Sequence, residues 1–249
     1  MTDELFREDA SLRECRATVL ALTDAGVILD RTVFYPQGGG QAGDTGWLQL
    51  DDGRRVAIVD TRKSKPGNEH AGAVLHLLAP GADTDAALLP PGTALTAQID
   101  WQRRHRHMRF HTSTHLLCAL VPHPVDGCSI TADYARLDFH MTEPLDKEAL
   151  SAGLARLVGQ AREVRHRWIS EAELDANPGL VRSMSVQPPR GLGRVRVLEI
   201  DGIDLQPCGG THVGNTSEIG AVVVTKIEKK SAMTRRVVLG FAEAAAGRS

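Results

Sequence analysis

The chain has 249 residues, 42% of them hydrophobic, and a formal net charge of -2. That length makes one large domain or two ordinary ones, and the apolar content suits a globular protein with a real core. The charge excludes bulk electrostatics as the whole basis of nucleic-acid binding, no apolar run approaches the ~18 residues that span a bilayer, and four cysteines without a CxxC pair are too few for a disulfide framework. The first residues, "MTDELFREDASLRE", are acidic and lack a hydrophobic segment, so they do not read as a secretory signal and a cytoplasmic protein is expected.

No internal repeat or low-complexity segment interrupts the chain. Its first hundred residues read as short strands: "CRATVLAL", "GVILD", "TVFY", "WLQL", "RRVAIVDT", "AVLHLL" and "ALTAQID". Turn-forming Gly, Asp, Asn and Pro separate them, a pattern that predicts a small β-barrel or sandwich. From Arg103 to about Leu120 the pattern is helical, ended by Pro122 and Pro124; "CSITADYARLDFHM" then returns to strand. The stretch "EPLDKEALSAGLARLVGQAREVRHRW" predicts the strongest helix, with Leu150, Leu154, Leu157 and Val158 on one face and Glu143 or Asp146 as its cap. A loop, "QPPRGLG", precedes the alternating strand "RVRVLEI" and a turn at Asp201-Gly202. A terminal hairpin is expected from "GAVVVTKIE" and "RRVVLGF". The expected fold is α+β: a β-barrel domain over 1–100, then an α+β domain over 101–249 with an antiparallel sheet and two main helices.

Two short motifs carry chemistry. In "RFHTSTHLL", His111 and His115 are spaced i, i+4, which puts both rings on one helix face within reach of one metal ion. The spacing is that of the HExxH metalloprotease motif, but Thr112 stands where its glutamate base would be, so that reading fails. In "CGGTH", Cys208 and His212 flank two glycines; each glycine costs roughly 1 kcal/mol against alanine in a helix, so a tight turn is expected. Joined, His111, His115, Cys208 and His212 offer three nitrogens and one sulfur, a set suited to tetrahedral Zn²⁺ and poorly suited to Mg²⁺ or Ca²⁺. Four firm ligands describe a structural site; catalysis needs an exchangeable position. The other histidines, including His76 and His107, lack such a partner and read as surface, loop or nucleic-acid-contact residues.

"HTSTHLL" followed by "CGGTHV", with "FYPQGGGQAGDTG" (Phe34 to Gly46) ahead of both, resembles the editing domain of alanyl-tRNA synthetases and the related freestanding editing proteins. Threonyl-tRNA synthetases share the two metal half-motifs, but the glycine-rich segment favours the alanyl branch. The resemblance covers most of the chain and has the order of the intermediate-length freestanding form. It implies a trans-acting deacylase that hydrolyses mischarged seryl-tRNA(Ala), in some members also glycyl-tRNA(Ala). It implies that His111, His115, Cys208 and His212 hold zinc and that Thr114 lines the substrate pocket. Serine adds a hydroxyl to alanine, and a site built to hydrogen-bond that hydroxyl rejects alanine; Thr114 can supply the bond, or it can bond back to its own helix. The resemblance also favours Gly38, Gly39, Gly40 and Gln41 as a backbone approach to the tRNA 3′ end over a plain turn. One departure is visible: "PVDGCSI" places Val125 where many members carry glutamine.

"WQRRHRHMRF" brings Arg103, Arg104, Arg106 and Arg109 beside the metal helix, and Lys226, Lys229, Lys230, Arg235 and Arg236 lie on the terminal hairpin. They are candidate phosphate contacts for the tRNA acceptor end. No carboxylate base is evident near either half-motif. The competing expectations are a tRNA-binding module with structural zinc and a different zinc hydrolase on the same scaffold.

Overall fold

The computed structural model describes residues 2–65, 67, 69–81, 83–184, 187–188, 190–191 and 193–242. They fall into two compact units: residues up to Gly38 with Ala42–His105, and Gly39–Gln41 with residues from Arg106 onward.

The first unit holds β1 (Asp3–Glu4), β2 (Glu14–Thr23), β3 (Gly26–Leu29), β4 (Arg31–Thr32), β5 (Gly46–Leu50), β6 (Arg55–Lys63), β7 (Val74–Leu78), the one-turn helix α1 (Asp83–Ala86) and β8 (Ala94–Ile99). Six strands close in the order β2-β3-β7-β6-β5-β8, every pair antiparallel. Closure removes the exposed edges that an open sheet would present. Period-two alternation points Leu95, Ala97 and Ile99 of β8 inward, where they meet Val56 and Ile58 of β6. Each buried Leu, Ile or Val among them contributes about 1.5–3 kcal/mol. The expected strand "TVFY" keeps only Thr32 in a ladder; Val33 and Phe34 leave it because they plug the barrel core. His76 corrects the expectation of a surface or loop histidine. It is fully buried in β7, its Nδ1–H donates to the Val27 carbonyl (3.0 Å), and the Thr32 hydroxyl lies 2.8 Å from Nε2. His107 is likewise buried.

Helix α2 (Trp101–Leu120) starts at Asp100, whose carboxylate accepts from the Arg103 N–H at 3.1 Å. The second unit continues with β9 (Val125–Ile130), β10 (Ala135–His140), α3 (Lys147–Gly159), β11 (Val164–Ser170), α4 (Glu171–Ala176), β12 (Arg194–Ile200), β13 (Asp204–Pro207), β14 (Val222–Ser231) and β15 (Thr234–Phe241). They build a four-stranded antiparallel sheet, β14-β15-β10-β9, and a three-stranded one, β11-β12-β13. Asp146 caps α3, and Leu150, Leu154 and Leu157 form its buried face. The helix expected to run to Trp168 stops at Gly159. Val164–Ser170 instead pairs residue by residue with β12, which buries Val164 and Ile169. Pro189 and Leu192 of the expected "QPPRGLG" loop lie outside the described residues. The architecture is α+β, a barrel followed by antiparallel sheets and two main helices, α2 and α3. Among the described residues no helix is long and apolar enough to cross a membrane.

Candidate metal centre

Helix α2 presents His111 and His115 one turn apart, their ring centroids separated by 5.6 Å. The turn after β13 carries Cys208 and His212. The sulfur of Cys208 lies 3.5 Å from His111 Nε2 and 3.2 Å from His212 Nε2. One ligand atom from each of the four residues falls within 4.8 Å of the others, so the set can hold a metal ion.

The hydrogen bonds behind the rings fix which nitrogen faces inward. Gln41 Oε1, an acceptor only, lies 2.8 Å from His111 Nδ1 and also accepts the Thr211 N–H at 3.2 Å. The Gln41 amide donates to Thr211 Oγ1 at 2.9 Å, which sets its orientation. Asp204 Oδ2 lies 2.9 Å from His115 Nδ1, and its carboxylate accepts twice from Gln206 Nε2 (3.0 and 2.9 Å). The Thr112 hydroxyl gives its hydrogen to the Met108 carbonyl (2.9 Å), leaving its oxygen to accept from His212 Nδ1 at 3.3 Å. Each ring thus holds a proton on Nδ1 and turns Nε2 toward the cluster, the orientation a metal-binding histidine requires.

Charge favours the same use. Burial opposes ionisation of the Cys208 thiol, but the neighbouring His111 and His212 rings outweigh it and hold the pKa well below the usual thiol range. Burial, helped by nearby negative charge, raises the other thiols, Cys15 to about 11 and Cys118 and Cys128 to about 12. Burial disfavours a charged His115, yet the Asp204 carboxylate and the Cys208 sulfur overturn this and raise it to about 10, so an ion binding at its Nε2 displaces a proton. His212, buried beside His111, falls to about 3. Three buried imidazoles and one half-buried, thiolate-prone sulfur converge in a set that fits a soft divalent ion.

Gly210 closes the turn. A methyl in place of its hydrogen would stand 2.5 Å from His111 Nδ1 and 3.0 Å from Gln41 Oε1, so only glycine lets the ring and the turn meet. Gly40, at φ +85°, also lies close to Cys128 of β9, where a Cβ would stand 2.9 Å from its sulfur, and its carbonyl accepts the Ile130 N–H at 2.8 Å. At Gly40 the backbone thus packs closely on a strand of the protein. Gln41 is fully buried with its side chain engaged on His111 and Thr211. Gly38 carries a different contact, its carbonyl accepting from the Tyr35 hydroxyl at 2.8 Å; Gly39 is exposed at φ +58°. Thr114 is buried, and its hydroxyl donates to the His111 carbonyl at 2.7 Å.

The basic residues divide. Arg104 as a phosphate contact is corrected: it is fully buried and bonded through Nε to Asp44 (2.9 and 3.1 Å) and through Nη1 to the Ala10 carbonyl (3.1 Å). Arg106 donates to the Ala132 carbonyl at 2.5 Å and Arg109 to that of Ile219 at 2.7 Å, while Arg236 pairs with Asp138 (2.7 Å). Arg103 is half-buried; Lys229 and Lys230 are exposed.

Two positioning residues, Asp204 and Thr112, were not recognised from sequence as partners of the ligands. Asp204 had a signal: Asp204, Gln206 and Cys208 alternate, so a strand there puts the carboxylate on the face of the thiol.

The chain matches the family model described as the threonyl and alanyl tRNA synthetase second additional domain over residues 195–238, and that of class II (A) tRNA synthetases over residues 8–103. It is 30% identical over 256 residues to the alanyl-tRNA editing protein AlaX-M of Methanosarcina mazei, covering 99% of both chains. It is 32% identical over 241 residues to AlaX-M of Saccharolobus solfataricus, covering 95% of this chain and 98% of the relative. The alanine–tRNA ligase of Pyrococcus furiosus is 33% identical over 254 residues, which cover 98% of this chain and 26% of the ligase. The chain belongs to the family of freestanding AlaX-M-type alanyl-tRNA editing proteins, related to the editing region of alanine–tRNA ligase.

Proposed function

We propose that the protein is a trans-acting, zinc-dependent deacylase of mischarged seryl-tRNA(Ala), with glycyl-tRNA(Ala) as a second substrate, working in the cytoplasm. The observation that carries this reading is the convergence of three imidazole nitrogens and one thiolate-prone sulfur in a chain of the editing family. In it, His111, His115, Cys208 and His212 hold the ion, residues 1–100 form the barrel domain and residues 101–249 the editing domain. When bound, zinc supplies a Lewis acid for the ester carbonyl.

The protein's own groups do the rest. Gln41, Asp204 and Thr112 keep the three rings in the binding tautomer. Asp204 has a fully buried side chain, so it positions His115 and does not act as a base on substrate. Thr114 spends its one hydrogen on the His111 carbonyl, which leaves its oxygen as an acceptor. A seryl hydroxyl satisfies that acceptor; an alanyl methyl leaves it unpaired in a buried place, so the cognate ester is rejected. The backbone at Gly38, Gly39 and Gly40 is the proposed guide for the tRNA 3′ end, and Lys229 and Lys230, with Arg103, are the basic residues left for its phosphates.

Initial rates on seryl-, glycyl- and alanyl-tRNA(Ala) test the reading. The seryl ester should be cleaved at least about a hundredfold faster than the alanyl ester, and Thr114→Val should narrow that ratio. Equal rates on both, or no cleavage of either by metal-loaded protein, would refute it.

A further inference from the structure

The three-stranded sheet carries an aromatic residue that the metal centre does not use. Trp168, on the edge strand β11, is 44% exposed. It pairs across the ladder with Arg196 of β12, whose carbonyl accepts the Cys208 N–H at 3.1 Å. Trp168, Arg196 and Cys208 therefore stand on one rung, and their side chains share one face of the sheet. That is the face of Asp204 and Gln206, and on it the Arg196 guanidinium donates to the carbonyls of Cys208 (2.9 Å) and Gly210 (3.1 Å). Two interstrand spacings put Trp168 roughly 10 Å from the metal-binding turn.

The charge on this face is also distinctive. Arg194 is exposed, lies over the Trp168 ring at 4.5 Å, and makes no salt bridge among the described residues. On the opposite face Arg165 and Arg167 are paired with Glu199 (3.6 and 3.3 Å), and Ile169, Val195 and Val197 are closed into a core. An indole beside an unneutralised guanidinium, on the rung of the reacting centre, has the chemistry that takes an unpaired nucleobase and its phosphodiester.

We propose that Trp168 and Arg194 form a stacking platform for a base in the single-stranded 3′ tail of the tRNA whose ester enters the metal centre. The proposal rests on the editing function above. The indole takes the base, Arg194 takes the adjoining phosphate, and the distance from Cys208 is spanned by the last nucleotides of the tail.

The test measures binding of two acceptor-stem RNA minihelices, one ending in a single-stranded ACCA tail and one blunt, to wild type, Trp168→Ala, Trp168→Phe and Arg194→Ala. Zinc content and thermal stability are followed in each. Trp168→Ala should bind the tailed RNA about tenfold more weakly with blunt binding unchanged, and Trp168→Phe should retain most of the preference. In deacylation the loss should fall on KM and leave kcat. Affinity of Trp168→Ala for tailed RNA within about twofold of wild type overturns the proposal, as does equal weakening on both RNAs. Self-association abolished by Trp168→Ala without a tail effect overturns it too, by giving the face to a second copy of the chain. If wild type binds the tail through Trp168 yet cleaves no ester, the platform stands and the deacylase reading fails. If it cleaves the ester while Trp168→Ala keeps full tail affinity, the reverse holds.

Discussion

Gly210→Ala is the sharpest probe of the metal centre, because it adds one carbon and removes no ligand. The new methyl would sit 2.5 Å from His111 Nδ1, and ordinary contacts begin at about 3.5 Å, so ring and turn must part by about 1 Å. Metal–ligand distances tolerate only about 0.2 Å. The same methyl crowds Gln41 Oε1 at 3.0 Å, so the bond that orients His111 is disturbed as well. Loss of that bond alone lowers metal affinity about 10- to 100-fold, and displacement of the ring adds to it. Competition with a chromogenic chelator gives the zinc affinity, and circular dichroism checks the fold. Gly210→Ala should lose at least about tenfold in affinity, and deacylation at limiting zinc should fall with it. Wild-type affinity in a folded Gly210→Ala protein would refute the close packing of turn and ring.

Three further outcomes follow from other contacts. Gln41→Leu and Asp204→Ala each remove the acceptor behind one ring, and each should weaken zinc binding about 10- to 100-fold in the same chelator assay, with Cys208 and His212 untouched. Arg104→Met leaves the Asp44 carboxylate buried without its partner, so urea titration should record a loss of about 3–5 kcal/mol. His76 supplies a pH dependence: burial lowers its pKa to about 4 despite the Val27 hydrogen bond, whereas the unfolded ring titrates near 6.5. The unfolded chain therefore takes up a proton that the folded barrel refuses. Its contribution is complete above pH 6.5 and fades as pH falls toward 4, by about 2 kcal/mol at pH 5. Urea titrations at pH 7.5 and pH 5 should show that much less acid sensitivity in His76→Gln than in wild type.

Much of this architecture is legible in the amino-acid order, because it depends on local periodicity. The alternation of Leu95, Ala97 and Ile99 marks a barrel strand, and the i, i+4 spacing of His111 and His115 survives intact on α2. The features that were missed depend on partners distant in sequence. Arg165 and Arg167 fall in a stretch that reads as the continuation of α3, and only pairing with β12 makes them part of a strand. Arg104 sits in a run of basic residues that reads as a phosphate-binding face until Asp44, sixty positions earlier, is brought against it. Gln41 belongs to a glycine-rich stretch that suggests a ligand loop, yet its bridge to Ile130 carries it under His111.

The central claim is that the four-residue centre makes this chain a metal-dependent hydrolase of the wrong ester. The most direct measurement is the cleavage rate of seryl-tRNA(Ala) and alanyl-tRNA(Ala) by one preparation, first as purified, then stripped of metal, then reloaded with zinc. The account predicts rapid loss of the seryl ester by the purified and reloaded protein, little by the stripped protein, and slow loss of the alanyl ester throughout. Seryl ester cleavage that is unchanged by stripping, with metal absence verified by elemental analysis, would contradict it.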